Sequence, residues 1–317
     1  MNPLQRILKL LALTVASAAL LAAVACGGGT SNSDKTATAA AKGGSGTPAA
    51  TKAAATTAAT SAAAKIDISG IEELKDGQLD IGSDIAYAPV EYMDEKTNQP
   101  VGLDIDIATA MADVLGVKVK FNNGSFDGLL PALDAKRYDV IMSAMTASDE
   151  RKKTVDFVEY LNAGSGILVL KGNPKNVKTA DDLCGLTVAT QEGTVQVDFL
   201  SGTADAPGGQ DKKCKDAGKP GITLRKFGTD PEAVQALIAG QADVELADYP
   251  VAAYSATQSG GKVQVLDNQI DPGHYGIAIR KTSTTLRDAL QKAFAAIKAS
   301  GKYDEILKKW NLEAGKI

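Results

Sequence analysis

The stretch "LLPALDAKRYDVIMSAM" (residues 129–145) returns later in the chain as "AVQALIAGQADVELADY" (residues 233–249). The two copies align without gaps, so that Asp139 of the first corresponds to Asp243 of the second. Each copy has the pattern of a helix, a tight turn and a buried strand. A repeated helix–strand unit predicts two similar α/β lobes within one chain.

Strands and helices alternate on both sides of this repeat. The predicted strands are 79–85, 117–123, 138–142, 185–191, 221–227 and 242–248, and the predicted helices are 103–115, 126–135 and two that begin at Thr194 and Asp230. Asp230 has the position of a helix cap, with Pro231 in the first turn and Gly240 at the end. Such alternation predicts parallel sheets covered by helices.

The strand that ends each repeat unit runs into residues too small or too polar for a core. Ser143 to Thr146 end the first strand, Asp248 ends the second, and Arg151 follows Thr146 closely. Ligands bind at the carboxyl ends of strands in open α/β sheets. Two facing lobes would therefore place Arg151 and Asp248 on opposite walls of one cleft, where a cation and an anion suit a zwitterionic ligand.

The N-terminal residues 1–25 have a positively charged start, an apolar stretch and small residues at the end, which predicts a secretory signal. The stretch "AVAC" (residues 23–26) resembles the lipobox of bacterial lipoproteins, although Ala23 stands where that pattern prefers leucine. This resemblance implies an acylated Cys26 and a lipid anchor on the outer face of the cell membrane. A plain transmembrane anchor and an ordinary secreted protein are the alternatives.

Residues 26–65 predict a flexible tether, because after Cys26 they consist almost entirely of Gly, Ala, Ser, Thr and Lys and contain no large apolar side chain. The formal net charge of −4, without a basic patch, argues against nucleic acid as a partner.

Cys184 and Cys214 are an even pair in an exported chain, so we expect a disulfide. Metal binding is the rival interpretation, but no nearby Cys or His completes a ligand set. We expect neither a metal nor a cofactor.

Six further stretches resemble one protein family in their order and spacing. The chain is similar to the family 3 extracellular solute-binding proteins, the polar amino-acid receptors of bacterial ABC importers. The stretches are "GSDIAYAPVEY", "GLDIDIATAMADVLG", "SFDGLLPALDAKRYDVIMSAMTASDERKKTVDF", "ATQEGTVQ", "ADVELADYPVAAY" and "YGIAIRK". The resemblance implies a two-lobed periplasmic-binding-protein-like fold of type II, with crossover strands near 163–167 and 273–277. Lobe 1 would comprise residues 66–163 and 274–317, and lobe 2 residues 164–273.

The resemblance also implies how the head group of an amino acid is held. Arg151 matches the arginine that clamps the ligand carboxylate, and Asp248 matches the carboxylate that pairs with the α-ammonium group. Ala144 and Thr146 match positions that contact the ligand through backbone and hydroxyl groups. The stretch "QEGTVQ", with Thr194 and Gln196, resembles the carboxylate cradle of the second lobe. Val195 departs from the threonine of many relatives, which leaves a backbone donor there.

Other positions would surround the ligand side chain. Tyr87 and Phe126 match the aromatic residues that sandwich it, although Phe126 could also fill the core. Asp84 matches an acidic position that holds a polar or cationic tip in receptors for glutamine and for basic amino acids. Val90 replaces a common phenylalanine, which either widens the pocket or repacks its floor. Arginine, lysine, histidine, glutamine and cystine are all open as ligands.

The predicted function is capture of a free polar or basic amino acid by a monomeric receptor and delivery to a membrane permease. One alternative is a dehydratase on the same fold, with Glu192 as a general acid. Another is a ligand-sensing accessory subunit, although the sequence shows neither a second spanning segment nor a signalling domain. His274 is the sole histidine, which argues against a His-centred triad or metal site.

Overall fold

The computed structural model of the chain describes residues 66–317. The predicted signal segment, Cys26 and the tether lie outside the described residues. Within residues 66–317, no helix is both long enough and apolar enough to cross a membrane.

The described chain alternates strands with helices, as the sequence pattern predicts. The strands are β1 (Gln78–Ser83), β2 (Ala86–Tyr87), β3 (Glu91–Met93), β4 (Pro100–Val101), β5 (Lys118–Asn123), β6 (Val140–Ile141), β7 (Val155–Leu170), β8 (Thr187–Gln191), β9 (Thr223–Phe227), β10 (Val244–Asp248), β11 (Val263–Val265) and β12 (Ile270–Arg280). The α-helices are α1 (Leu103–Leu115), α2 (Phe126–Asp134), α3 (Asp149–Lys152), α4 (Val195–Ser201), α5 (Gly209–Asp216), α6 (Asp230–Ile238), α7 (Tyr249–Gln258), α8 (Thr284–Ala299) and α9 (Lys302–Trp310). Helix α1 has the predicted bounds.

One sheet runs through both halves of the molecule, in the order β5-β1-β6-β12-β7-β10-β8-β9, with β11 paired to β7. Strand β1 is parallel to β5 and β6 on one side, and β8 is parallel to β10 and β9 on the other. The two central strands, β7 and β12, are antiparallel to each other. Two parallel sheets are therefore joined through one antiparallel pair.

The central pair contains both predicted crossovers. Ala163 pairs with Gly273, so the segments 163–167 and 273–277 lie in β7 and β12. After β12, helices α8 and α9 pack against α1. We call β1–β6, α1–α3, α8 and α9 lobe 1, and β8–β11 with α4–α7 lobe 2. Two α/β lobes joined by two crossover strands are the predicted fold, while the residue at which one lobe passes into the other remains a prediction.

Each lobe contains an apolar core. In lobe 1, Ile81 of β1 packs with Ile107 and Met111 of α1, and the same cluster includes Leu290 of α8. In lobe 2, the buried side chains of β8 and β10 pack with one another and with Leu200 of α4. Truncating a fully buried side chain such as Ile107 to alanine should cost about 2 to 5 kcal/mol.

Two local predictions need correction. The cap of α6 is Thr229 and not Asp230, because Thr229 and Glu232 form a reciprocal capping box while Asp230 is the first helical residue. Strand β6 comprises only Val140–Ile141 of the predicted 138–142. It is short because the chain soon enters a left-handed turn at Ala144, where φ is 44°.

Cys184 and Cys214 form the predicted disulfide, with a Cα–Cα distance of 5.5 Å and a sequence separation of 30 residues. It joins the segment before β8 to α5. The segment that it closes contains β8, α4 and the polar, glycine-rich stretch "GTADAPGGQDKK" (residues 202–213), and the crosslink stabilises it by about 3 to 4 kcal/mol for a loop of this length.

Candidate functional site

The carboxyl ends of β1, β6, β8 and β10 meet between the two lobes. The chain segments that follow carry buried polar side chains: Asp84 after β1, Ser143 after β6, Thr194 after β8 and Asp248 at the end of β10. We call the space between these strand ends the cleft. Its position is the one that the two repeat units predict, because each ends its strand there.

Arg151 extends from lobe 1 towards lobe 2. Its side chain is 8% exposed, with one Nη1–H donating to the Thr146 carbonyl at 2.8 Å and one Nη2–H donating to the Gly193 carbonyl at 3.0 Å. The guanidinium carbon lies 5.3 Å from the centre of the Phe126 ring. Burial lowers the pKa of Arg151 to about 10, so the group remains a cation at neutral pH. A buried guanidinium with donors to spare suits a carboxylate.

Asp248 lies in lobe 2 and is 6% exposed. Its Oδ1 accepts a hydrogen bond of 2.8 Å from Gln196, whose amide also donates to the Ser165 hydroxyl at 2.9 Å. Its backbone N–H donates to the Tyr87 hydroxyl of lobe 1 at 2.9 Å. Burial raises the pKa of Asp248 to about 6. A buried carboxylate with an elevated pKa is stabilised by a cation such as an ammonium group.

Asp84 faces lobe 2 through a residue that the sequence analysis did not assign. The Gln191 side-chain amide donates to Asp84 Oδ2, and also to the Gly228 carbonyl at 3.1 Å. Burial raises the pKa of Asp84 to about 6. Gln191 stands within the quoted stretch "ATQEGTVQ", at the end of a predicted strand, and this position was the signal that could have identified it.

A buried acidic network supports the turn after β6. Ser143 accepts from the Asp84 backbone N–H at 2.9 Å and donates to Glu91 Oε1 at 2.9 Å. The Ala144 backbone N–H donates to Asp104 Oδ2 at 2.9 Å, and Tyr160 donates to the same oxygen at 2.8 Å. These bonds hold Ala144 in its left-handed conformation, which is costly for a residue other than glycine. Neither Glu91 nor Asp104 is among the site residues predicted from the sequence.

Thr194 and Gly193 lie where lobe 2 comes closest to lobe 1. Thr194 occupies the N-cap position of α4, where its hydroxyl donates to the Gln191 carbonyl at 2.8 Å and forms no capping hydrogen bond. Gly193 has φ of +79°, and a Cβ added there would lie 2.8 Å from the Cα of Asp127 in lobe 1. Only glycine permits both this conformation and this approach. Together with the Asp84–Gln191 and Tyr87–Asp248 hydrogen bonds, this contact shows that the two lobes are closed on each other.

Two further residues bear on the expectations from the sequence. Val90 is fully buried in the core of lobe 1, so it repacks the floor and does not widen the cleft. Glu192 lies at the surface, where it forms an ion pair of 2.5 Å with Lys226. This placement does not suit a general acid within the cleft.

Buried acids outnumber buried bases around the cleft. Among residues 66–317, Arg151 is the only Lys, Arg or His that is buried. The buried acidic side chains are Asp84, Glu91, Asp104, Asp230, Glu245 and Asp248. Burial raises the pKa of each of them, and several also raise one another's pKa through charge repulsion. Even with Glu91 and Glu245 protonated, Asp84 and Asp248 are ionised at neutral pH and outnumber Arg151, so the electrostatic environment favours a positively charged ligand.

The chain belongs to the bacterial extracellular solute-binding proteins, family 3, which it matches over residues 79–313. It is 30% identical over 239 residues to the arginine-binding protein ArgT of Corynebacterium glutamicum, covering 75% of this chain and 76% of the relative. It is 30% identical to the L-cystine-binding protein TcyJ of Escherichia coli, covering 74% and 82%. These homologues are binding proteins and not enzymes.

The fold is shared with solved structures of amino-acid-binding proteins. An ancestral arginine-binding protein bound to arginine matches with a TM-score of 0.66 and 36% sequence identity, covering 74% of this chain and 98% of that one. This likeness confirms the predicted periplasmic-binding-protein fold.

Proposed function

We propose that the protein captures a free amino acid with a cationic side chain, arginine being the first candidate, between its two lobes. The observation that carries the proposal is the pair Arg151 and Asp248, which are buried on facing lobes with opposite charges. A free α-amino acid carries a carboxylate and an ammonium group on one carbon, and so complements both. The surplus of buried acids favours a positive side chain over a neutral one, which ranks arginine above cystine or glutamine.

Arg151 binds the ligand carboxylate in this proposal. Two of its N–H groups donate to backbone carbonyls, and the rest are available to a second, anionic acceptor. The backbone N–H groups at the start of α4, next to Thr194, add donors from lobe 2. Thr146 completes the carboxylate site from lobe 1, with its carbonyl already holding the guanidinium.

Asp248 binds the α-ammonium group. Gln196 occupies one of its oxygens and thereby orients the carboxylate, which makes Gln196 a positioning residue for the ammonium site. The Ala144 carbonyl is the proposed second acceptor, since the left-handed turn is fixed from behind by Asp104. The negative charge of Asp248, with a second acceptor on the other lobe, would favour an ammonium group over a neutral amine.

The ligand side chain lies between Tyr87 and Phe126, with its tip towards Asp84. An aromatic face binds a guanidinium or an aliphatic chain by dispersion and cation–π attraction, worth about 0.5 to 2 kcal/mol. Gln191 closes over Asp84 from lobe 2, so that a tip bound there would be shielded from water. Such shielding strengthens the charge pair between Asp84 and a cationic tip.

Closure of the lobes is the signal that the receptor passes on. The ligand contacts both walls, so it binds the closed form more tightly than the open form and shifts the population towards it. We infer that the closed form is recognised by a permease of an ABC importer, and that reopening delivers the amino acid. The receptor acts as a monomer, held at the outer face of the membrane by a lipid on Cys26.

Isothermal titration calorimetry of the purified chain against the common amino acids tests the ligand class. We expect arginine to bind with a Kd in the micromolar range or tighter, about 8 kcal/mol or more, and neutral amino acids to bind more weakly. Tight binding of a neutral or acidic amino acid, with no heat from arginine, would contradict the proposal.

Metabolic labelling with a fatty-acid probe tests the anchor separately. The parent chain should incorporate the probe, whereas Cys26→Ser should not and should be released from the membrane. Equal labelling of the variant would exclude Cys26 as the acylated residue.

A further inference from the structure

Lobe 2 contains a pair of buried acids that the proposed ligand contacts do not use. Glu245 of β10 is 0% exposed and Asp230 of α6 is 3% exposed. No donor among residues 66–317 forms a hydrogen bond to either carboxyl oxygen of Glu245 or to Oδ1 of Asp230. Two such acids would each carry a large desolvation cost if both were ionised. Their environment therefore has to supply a proton, a cation or a ligand.

The two carboxyl groups lie close enough to share a hydrogen bond once one of them carries a proton. Burial raises the pKa of Asp230 to about 7, and burial together with repulsion from Asp230 raises the pKa of Glu245 well above its usual range. Both carboxyl oxygens of Glu245 are buried without a partner, whereas only Oδ1 of Asp230 is, so Glu245 is the member that keeps its proton. Asp230 is in the first turn of α6, where the helix dipole favours an anion.

The charged groups that face this pair come from both lobes. Asp248 at the end of β10 raises the pKa of both acids, and Asp84 of lobe 1 also raises that of Asp230. Tyr87 of β2 is another titratable group that faces the pair. Its pKa is raised mainly by burial, then by repulsion from Asp248, Asp230 and Glu245. No cation is among these neighbours, so an ionised Asp230 adds to the negative potential of the cleft.

Asp230 lies near the part of the cleft where the ligand side chain is proposed to bind. Together with Ala86 and Ala88, which flank Tyr87, Asp230 lines a cavity of about 220 Å³ between β2 and helices α6 and α7. On the other side, Gln191 links Asp84 to the Gly228 carbonyl, two residues before Asp230. The start of α6 therefore approaches both an aromatic wall and the acid proposed for the ligand tip.

We propose that Asp230 is a specificity-determining residue, which supplies from lobe 2 a negative charge that favours cationic ligands, with Glu245 as its neutral, hydrogen-donating partner. This inference rests on the proposed function, because it concerns the side chain of the same ligand. In this proposal, residues of both lobes select a cationic ligand side chain. Asp84 of lobe 1 contacts the side chain, and Asp230 of lobe 2 attracts it through the low-dielectric interior.

Because Asp230 is ionised and Glu245 is neutral in this proposal, substituting them should have different effects, and Glu245→Gln is the matched control. Glu245→Gln replaces a neutral donor by another neutral donor, so the ionised Asp230 keeps its hydrogen bond and the local charge is unchanged. Asp230→Asn removes the charge with little change in shape. The double variant Asp230→Asn with Glu245→Gln also removes it, and its two amides can bond to each other, which guards against misfolding.

The experiment compares two ligands of nearly equal shape, L-arginine and its uncharged isostere L-citrulline, by calorimetry on the full chain at pH 8. The measured quantity is the ratio of the two Kd values. We expect Glu245→Gln to keep the parental ratio to within about twofold. Asp230→Asn and the double variant should reduce the preference for arginine about tenfold, which is the order of magnitude for two unit charges about 10 Å apart at an effective dielectric constant near 20.

Two results would overturn the inference. One is an unchanged ratio in Asp230→Asn and in the double variant, which would make the pair a structural element without influence on ligand charge. The other is a ratio in Glu245→Gln reduced as far as in Asp230→Asn, which would mean that Glu245 is ionised. Failure of the proposed function is distinguishable, because the parent chain itself would then bind no cationic amino acid.

Discussion

Replacing Arg151 by alanine should abolish tight ligand binding while leaving the fold intact. In the proposed complex this side chain forms a charge-assisted pair with the ligand carboxylate in a closed cleft. Removing one partner of such a buried pair costs about 3 to 5 kcal/mol, because the carboxylate is left without its counter-ion. The bond from Arg151 to the Gly193 carbonyl, which joins the lobes, is lost as well and adds about 1 kcal/mol.

The two losses together, about 4 to 6 kcal/mol, should raise Kd by about 1,000-fold to more than 10,000-fold. The unliganded protein should change less. Burial disfavours the charged form of Arg151, as its lowered pKa shows, so truncation also relieves a desolvation cost. We expect the melting temperature without ligand to stay within a few degrees of the parent value.

Arg225→Ala is a matched control for this experiment. Arg225 also lies over an aromatic ring, at 5.5 Å from the centre of Phe227, and also donates to a backbone carbonyl, that of Gln241 at 2.9 Å. It differs from Arg151 in lying outside the cleft. Calorimetry and thermal unfolding of both variants with and without arginine should show loss of binding in Arg151→Ala alone. Parental affinity in Arg151→Ala would refute the assignment of the carboxylate site.

Other parts of the structure lead to three further predictions. Gly193→Ala should obstruct closure of the lobes and weaken ligand binding about tenfold or more. With ligand present, small-angle scattering should then give a larger radius of gyration than for the parent. An unchanged radius of gyration and an unchanged Kd would contradict this prediction. The double variant Cys184→Ser with Cys214→Ser removes the disulfide and should lower the free energy of unfolding in urea by about 3 to 4 kcal/mol without changing Kd. A changed Kd with an unchanged free energy of unfolding would argue against a purely structural role of the disulfide. Burial raises the pKa of Asp84 and Asp248 to about 6 from 3.8, so the stability they contribute is present below about pH 4 and lost as the pH rises through 6. The unliganded protein should have a higher melting temperature at pH 5 than at pH 7, whereas arginine should bind more tightly at pH 7. If the melting temperature and the affinity for arginine both changed in the same direction, these pKa shifts would be contradicted.

The sequence was most informative where one local pattern determines the structure. The apolar spacing of 103–115 predicted α1 with the observed bounds, and the gapless repeat placed Asp248 at a strand end. Local competition explains the error at α6, since Thr229 and Asp230 are both good capping residues. The capping box with Glu232 decides between them.

Contacts between distant segments were harder to predict. Gln191 closes over Asp84, and Asp104 supports Ala144, through side-chain pairs that join different elements. No periodicity in the chain encodes such pairs. Glu245 is a further case, because a charged residue inside a strand ordinarily faces solvent, whereas here a second acid makes its burial possible in protonated form.

The central claim is that the cleft recognises both head groups of an amino acid, one from each lobe. The most direct measurement is calorimetry with arginine and with two analogues that each lack one head group. Agmatine has no carboxylate, and 5-guanidinopentanoic acid has no α-ammonium group. If Arg151 and Asp248 hold the two head groups, arginine should bind at least about 100-fold more tightly than either analogue. Comparable binding of either analogue would contradict the claim, because one wall of the cleft would then have no charged partner.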